Sequence, residues 1–118
     1  MVYKFEKFKV WTLSLELLDL IYELSNDLPD SEKYNLKSQL IRAGTSISLN
    51  IAEGSTSQTD AQQKQFIIYA IRSLTEVIAC LRIIDRRNYC LESVTLFETN
   101  KICSQLFKRL QAFNKSLK

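Results

Sequence analysis

Glycine and proline are scarce in this chain: two glycines and one proline occur among its 118 residues. In a helix interior, Gly costs about 1 kcal/mol and Pro about 3 kcal/mol relative to Ala. Their scarcity therefore permits long, uninterrupted helices, and no alternating apolar pattern is long enough to predict a strand. The length suits one domain with a core of its own, so residues 1–118 are expected to form a single domain.

Apolar residues recur at steps of three and four along four segments, which is the spacing of a helix with one buried face. Pro29 separates the first two segments, and the polar stretch Gly54–Thr59 separates the second from the third. The predicted helices span about Phe5–Asp27, Glu32–Glu53, Asp60–Arg87 and Glu92–Leu117. Four such helices with short connections predict an all-α fold, an up-down-up-down antiparallel four-helix bundle.

The second predicted helix carries an apolar and a polar stripe side by side. The apolar stripe is Leu36, Leu40, Ala43, Ile47 and Ile51, and the polar stripe is Arg42, Ser46, Asn50 and Glu53. Such a polar stripe either fixes helix packing or presents a binding site. Its position beside the core favours the structural role, with Ser73 and Glu76 of the third helix as partners. Gly54 follows directly, where we expect it to end the helix with a positive φ.

The usual groups for catalysis and metal binding are missing. The chain has no histidine, and its three cysteines, Cys80, Cys90 and Cys103, are widely spaced. This argues against a nucleophile–base pair, a disulfide framework or a zinc site. Three acidic residues, Glu16, Asp19 and Glu23, share a helix face, but it lies away from the apolar stripes, so we expect them to be solvated. The sequence thus predicts no enzyme, no cofactor and no bound metal.

Positive charge is concentrated in the second half of the chain. Residues 1–59 carry six Lys/Arg and eight Asp/Glu, whereas residues 60–118 carry ten and five. Two basic stripes result: Lys64, Arg72, Arg82 and Arg86 on the third helix, and Lys101, Lys108 and Lys115 on the fourth. They predict a surface that contacts nucleic-acid phosphates. Ordinary surface charge is the alternative, favoured for a single subunit because no aromatic residue interleaves the stripe.

Two features indicate self-association. Ile68 and Ile83 lie in or beside the basic stripe of the third helix, away from the core. The first helix has a second apolar strip, Trp11, Leu15, Leu18 and Tyr22, which is wider than one packing seam requires. Exposed apolar residues of this kind suggest a subunit interface, and a closed ring would repeat the basic stripes around one axis. Scattered surface isoleucines remain an equal alternative.

The sequence predicts a cytoplasmic protein. No apolar run approaches the roughly 20 residues of a membrane span. The N-terminal stretch, MVYKFEKFKVW, lacks the apolar centre of a signal peptide.

The pattern R-A-x-x-S-I-x-x-N-I-A-E-G over Arg42–Gly54 resembles a known family. That family comprises four-helix-bundle proteins encoded in intervening sequences of bacterial 23S ribosomal RNA genes, together with accessory proteins of diversity-generating retroelements. Further matching residues are Phe8, Trp11, Ile21, Tyr22, Leu28, Pro29, Glu32, Tyr34, Leu36, Gln39, Phe66, Ala70, Ser73 and Glu76. The chain departs from the family pattern at Ser57, where Arg is frequent, and at Arg72, where Gly is usual.

The resemblance implies a cytoplasmic bundle that assembles into a ring, as a homopentamer, with a basic surface. It also implies nucleic-acid binding, or partnership with a reverse transcriptase, and no catalysis. Two hypotheses follow. One is a homo-oligomeric accessory protein that binds RNA or DNA through the basic faces of helices three and four. The other is a scaffold ring that docks a partner such as a reverse transcriptase without touching nucleic acid.

Overall fold

Four helices form an up-down-up-down bundle in the computed structural model, which describes residues 1–90 and 93–118. They are α1 (Lys9–Ser25), α2 (Leu36–Gly54), α3 (Asp60–Arg86) and α4 (Val94–Ser116). Each helix packs against its neighbour in the chain, and α1 also packs against α4, which closes a bundle of 44 × 24 × 22 Å. The predicted fold class is confirmed.

The core is built from the predicted apolar stripes of all four helices. Its fully buried large side chains are Leu17, Ile21, Leu24, Leu40, Ile47, Ile51, Ile67, Leu74, Leu81, Ile84, Leu106 and Leu110. Burying one such side chain contributes about 1.5–3 kcal/mol. Tertiary packing of these stripes therefore outweighs helix propensity in fixing the helices.

The N-terminal helix is shorter than predicted. A separate 3-10 turn covers Lys4–Lys7, and Phe8 then takes an extended backbone (φ −77°, ψ 130°) before α1 begins. The Phe8 ring packs edge-on against Phe113 of α4, with centroids 5.2 Å apart, and the Phe5 ring meets Trp11 at 4.7 Å. These aromatic contacts hold the turn against α1 and hold Phe8 against α4.

The start of α2 lies four residues later than predicted. A 3-10 turn covers Asp30–Glu32, and Asn35 has a non-helical backbone (φ −124°, ψ −98°). The Glu32 carboxylate accepts hydrogen bonds from the Tyr89 hydroxyl at 2.8 Å and from Asn35 Nδ2 at 3.1 Å. These bonds tie the connection to the segment that follows α3, next to the non-helical backbone of Asn35.

The expectation of a positive φ at Gly54 is wrong. Gly54 is the last residue of α2, and its φ is not positive. A Cβ at this position would lie 2.9 Å from the Phe66 Cβ of α3. Gly54 therefore allows α2 and α3 to approach closely, and it is not a left-handed helix stop.

The second connection agrees closely with the sequence, since α3 begins at Asp60 as predicted. Thr59 caps α3, because its Oγ1 accepts from the Gln62 amide at 3.2 Å. Asn88 has a φ of 59° just after α3, the only positive φ among the described residues. The predicted start of α4 at Glu92 lies outside those residues, and α4 runs from Val94 with the Ser93 hydroxyl as its cap. Within the described chain no helix has the length and apolar character needed to cross a membrane.

Candidate nucleic-acid interface

The polar stripe of α2 meets α3 through side-chain hydrogen bonds. Ser73 donates to Ser46 Oγ at 2.9 Å, and Asn50 Nδ2 donates to the same oxygen at 3.0 Å. The Arg42 guanidinium lies 3.8 Å from the Glu76 carboxylate. The expected partners on α3 are thus in place: Ser46 ties α2 to α3, and Asn50 supports Ser46 from within α2.

The outer part of this stripe is open to solvent. The Arg42 and Glu76 side chains are 70% and 43% exposed, so their ion pair adds little stability. Leu49 lies in the same shallow depression and is 54% exposed, although the sequence analysis did not single it out. Glu53 lies at its rim, also exposed. This surface therefore combines an exposed leucine with charged and polar side chains.

Two of the predicted basic residues lie together in a groove between α3 and α4. Arg82 projects from α3 and Lys108 from α4, over a floor that includes Ile78 and Phe107. Asn100 of α4 fixes the arginine: Arg82 Nη1 donates to Asn100 Oδ1 at 2.8 Å. Asn100 Nδ2 in turn donates to the Leu96 carbonyl at 3.1 Å. We call this the α3–α4 groove, and its volume is about 290 Å³.

The arginine in the α3–α4 groove is not paired with a carboxylate. Its hydrogen-bond partner is a neutral amide, and the one ion pair among the described residues is Arg42–Glu76. A guanidinium carries five N–H donors, and this bond occupies one of them. The groove therefore presents an oriented cation with free donors beside a lysine.

The other predicted basic residues lie outside the groove. Arg72 and Arg86 are exposed on the outer side of α3, where Lys64 is half-buried, and Lys101 and Lys115 are exposed on α4. Because Arg72 points away from the bundle, it causes no close contact within the chain. Ser57, where the resemblance expects arginine, is half-buried in the loop before α3.

An exposed aromatic residue flanks the basic stripe of α4, although none interleaves its lysines. Phe97 of α4 is 67% exposed and precedes Lys101 by four residues, which places both on one face of the helix. Lys108 and Lys115 continue the same face at steps of seven. The signal was present in the sequence as a spacing of four between a phenylalanine and the first lysine.

Exposed apolar residues are spread over α1 and α3. Ile83 is 47% exposed, as expected, but Ile68 is half-buried. On α1, Leu15 and Tyr22 are exposed, and Leu18 and Trp11 are half-buried. The second apolar strip of α1 is therefore only partly covered by the chain's own bundle.

The cysteine thiols are unsuited to nucleophilic chemistry. All three are free and buried, and burial raises the pKa of Cys103 to about 12 and also raises the pKa values of Cys80 and Cys90. A buried, protonated thiol is a weak nucleophile. The described residues contain no group of three or more His, Cys, Asp or Glu side chains placed to hold a metal ion.

Comparisons with known proteins agree with the fold and the motif. A model of the 23S rRNA-intervening sequence protein family matches residues 6–112. A crystal structure from Bacteroides thetaiotaomicron is 26% identical, with a TM-score of 0.81, and the match covers 90% of this chain and 98% of that one. That protein is described as one of unknown function from the S23 ribosomal protein family. No curated protein matches the chain.

Proposed function

The chain belongs to the 23S rRNA-intervening sequence protein family, and we propose that it is a cytoplasmic, non-enzymatic, homo-oligomeric accessory protein that binds RNA or DNA. The α3–α4 groove is the observation that carries this proposal. There the oriented Arg82 and the neighbouring Lys108 offer charge to a phosphate. Arginine held by a neutral partner is suited to phosphate, because it can form two parallel charge-assisted hydrogen bonds.

The outer face of α4 extends this surface. Lys101, Lys108 and Lys115 can follow a nucleic-acid backbone, and the exposed Phe97 ring can stack on an unpaired base. Phosphate contacts of this type carry little sequence information, so we expect affinity without strong sequence preference.

Self-association is part of the proposal, and the exposed residues of α1 support it. The uncovered apolar strip of α1, with Leu15 and Tyr22 exposed, suits contact with a second copy of the chain. A closed ring, of five subunits by the family resemblance, would repeat the α3–α4 groove around its axis and strengthen a weak positive field.

The phosphate test compares two double variants that remove the same charge. Arg82→Gln/Lys108→Gln alters the groove, whereas Lys33→Gln/Lys37→Gln alters the α1–α2 connection and the start of α2, which do not line the groove. Removing two phosphate contacts should make the plot of log affinity against log salt shallower by about 1.4 to 1.8, with the control unchanged. Anisotropy of labelled RNA and DNA measures this slope. Binding that ignores salt, or a groove variant that behaves as wild type, would contradict the proposal.

The assembly test uses Leu15→Glu/Tyr22→Glu. Both residues are exposed, so helix content by circular dichroism should stay unchanged while native mass falls to that of one chain. Tyr34→Glu, at an exposed tyrosine in the α1–α2 connection, is the matched control and should leave the native mass unchanged. A monomeric wild-type protein at high concentration would remove the homo-oligomer from the proposal.

A second candidate function is a scaffold ring that docks a partner protein such as a reverse transcriptase. The exposed Leu49, bordered by Arg42 and Glu53, favours it, because protein interfaces place an apolar anchor inside a polar rim. A ring that binds no nucleic acid at low salt, yet binds the purified partner and loses it with Leu49→Glu, would select this function.

A further inference from the structure

A second basic groove lies at the end of the bundle, apart from the α3–α4 groove. It forms where the start of α1 packs against the last turns of α4, and its volume is about 470 Å³. Lys7 and Lys9 approach it from the N-terminal segment, and Arg109 approaches from α4. Phe8 and Phe113 line it between these cations. We call it the end groove.

Positive charge is concentrated in this half of the molecule. Residues 1–16, 46–72 and 104–118 surround the end where α1 and α3 begin and α2 and α4 end. They contain nine Lys/Arg and four Asp/Glu, whereas the rest of the chain contains seven and nine. The half that holds the end groove therefore carries +5, and counting charge along the sequence hides this, because the N-terminal residues belong to a net negative first half.

The cations of the end groove have no carboxylate partner in the described part of the chain. No Asp or Glu oxygen there lies within 4.0 Å of the amines of Lys7 and Lys9 or the guanidinium of Arg109. Two carboxylates of this half are engaged elsewhere: Glu6 accepts from the Tyr3 amide at 2.7 Å, and Asp60 accepts from the Lys118 amide at 2.9 Å. The groove is thus complementary to an anion.

Aromatic rings alternate with the lysines at this end. Phe8 and Phe113 meet edge to face and are each half-buried, so part of each ring faces the groove. Tyr3 stacks on Phe5 with centroids 6.2 Å apart, and its outer side is exposed. A basic groove with rings between its cations is the arrangement that binds single strands, whereas a duplex keeps its bases stacked inside.

We infer that the end groove holds an unpaired nucleotide of a nucleic-acid strand. Lys7, Lys9 and Arg109 neutralise its flanking phosphates, and the base packs against Phe8 and Phe113. The inference rests on the proposed function for its class of ligand, but it concerns different residues and a single-stranded form of that ligand. An acidic peptide would satisfy the cations and leave the rings without a role.

The test compares three double variants that each remove two positive charges: Lys7→Gln/Arg109→Gln in the end groove, Arg82→Gln/Lys108→Gln in the α3–α4 groove, and Lys33→Gln/Lys37→Gln as control. All six side chains are at or near the surface, so the fold should survive. The probes are labelled oligothymidylate of about twelve nucleotides, within the usual size of single-strand sites, and a duplex of equal length. The end-groove variant should make the salt slope for oligothymidylate shallower by about 1.4, with the control unchanged.

A ring substitution tests the base contact separately from charge. Phe113→Leu keeps the apolar volume and removes the aromatic face, so affinity for oligothymidylate should fall at least about fivefold with little change for the duplex. Tyr34→Leu, at the exposed tyrosine of the opposite end, is the matched control. Trp11, the single tryptophan, contacts Phe5 near this end, so its fluorescence should change when oligothymidylate binds.

The results separate the two sites. If only the end-groove variants lose single-strand binding, the inference stands and single-strand binding through α3 and α4 is overturned. If only Arg82→Gln/Lys108→Gln loses it, the end-groove inference is overturned and the proposed function stands. Absence of any nucleic-acid binding at about 50 mM salt overturns both. Equal competition by polyglutamate, with Phe113→Leu behaving as wild type, overturns the inference in favour of an acidic peptide.

Discussion

Gly54 of α2 lies directly against Phe66 of α3. The Phe66 Cβ would lie 2.9 Å from a Cβ placed on Gly54, a separation at which one of the two backbones has to move. At Gly44, the other glycine, an added Cβ would lie 2.6 Å from Ile21 Cδ1. That atom is the end of a buried side chain, so relief requires Ile21 to change its rotamer and does not require a helix to move. The two glycines therefore have different structural roles, although both lie in one helix.

Gly54→Ala should destabilise the protein by about 1–3 kcal/mol, because it forces α2 and α3 apart. Gly44→Ala should change stability far less, since its gain of about 1 kcal/mol in helix propensity offsets the displacement of Ile21. Urea unfolding followed by circular dichroism measures both free energies. Equal destabilisation by the two variants would disprove the difference in role.

The bundle could be predicted from sequence because its determinants are local. Steps of three and four between apolar residues set the buried faces, and Pro29 and the Gly54–Thr59 stretch set two of the connections. The errors lie where distant residues decide the backbone. Glu32 is tied to Tyr89, and Phe8 packs on Phe113 from the other end of the chain. No local pattern contains such contacts.

The buried serine pair between α1 and α2 has a defined direction. Ser14 Oγ donates to the Trp11 carbonyl at 2.6 Å and lies 2.9 Å from Ser48 Oγ. The single hydroxyl proton of Ser14 is used in the bond to Trp11, so Ser48 donates its own proton to Ser14. Ser14→Ala should thus cost about 1–3 kcal/mol, as it leaves a buried donor unpaired, whereas Ser48→Ala should cost about 0.5–1.5 kcal/mol.

A double-mutant cycle, with free energies of unfolding measured in urea, gives the energetic coupling between the two serines. The variant with both serines replaced should be less destabilised than the sum of the single variants, because no buried donor remains. Additive losses, or a larger loss for Ser48→Ala, would contradict the assigned direction.

For the basic stripes, the sequence predicts the helix face on which a residue lies, but not the residues that it meets on another helix. The face of α3 or α4 that a lysine occupies follows from its spacing, and Lys101, Lys108 and Lys115 are exposed as predicted. Which residues meet across two helices depends on their relative register. The pattern of a single helix therefore does not predict the Arg82–Asn100 hydrogen bond. It also does not predict that Lys7 and Arg109 line the same groove.

The Tyr89 hydroxyl should control the ionisation of Glu32. Its hydrogen bond, followed by that from Asn35, lowers the pKa of Glu32 below the ordinary value of 4.5. Because the pKa of Glu32 is lower in the folded state, its ionised carboxylate stabilises the fold above pH 4.5. This stabilisation is lost as the pH falls through the pKa of the folded state. Tyr89→Phe should raise the pKa of Glu32 toward 4.5, as measured by NMR titration of its carboxyl group. A titration curve unchanged from wild type would show that the hydroxyl has no such effect.

The buried Cys103 thiol should make the protein sensitive to alkali. Burial raises its pKa from 9.0 to about 12, and the nearby Arg82 charge only partly opposes this. Because this pKa is higher in the folded state, the thiol contributes to the free energy of unfolding. The contribution is full below pH 9.0 and is lost as the pH rises toward 12, because the thiol of the unfolded chain ionises first. The urea midpoint of wild type should therefore fall more between about pH 8 and about pH 10 than that of Cys103→Ala. Ser104→Ala, which alters an exposed neighbour, should show the wild-type pH dependence, and a Cys103→Ala variant with that same dependence would exclude the thiol as its source.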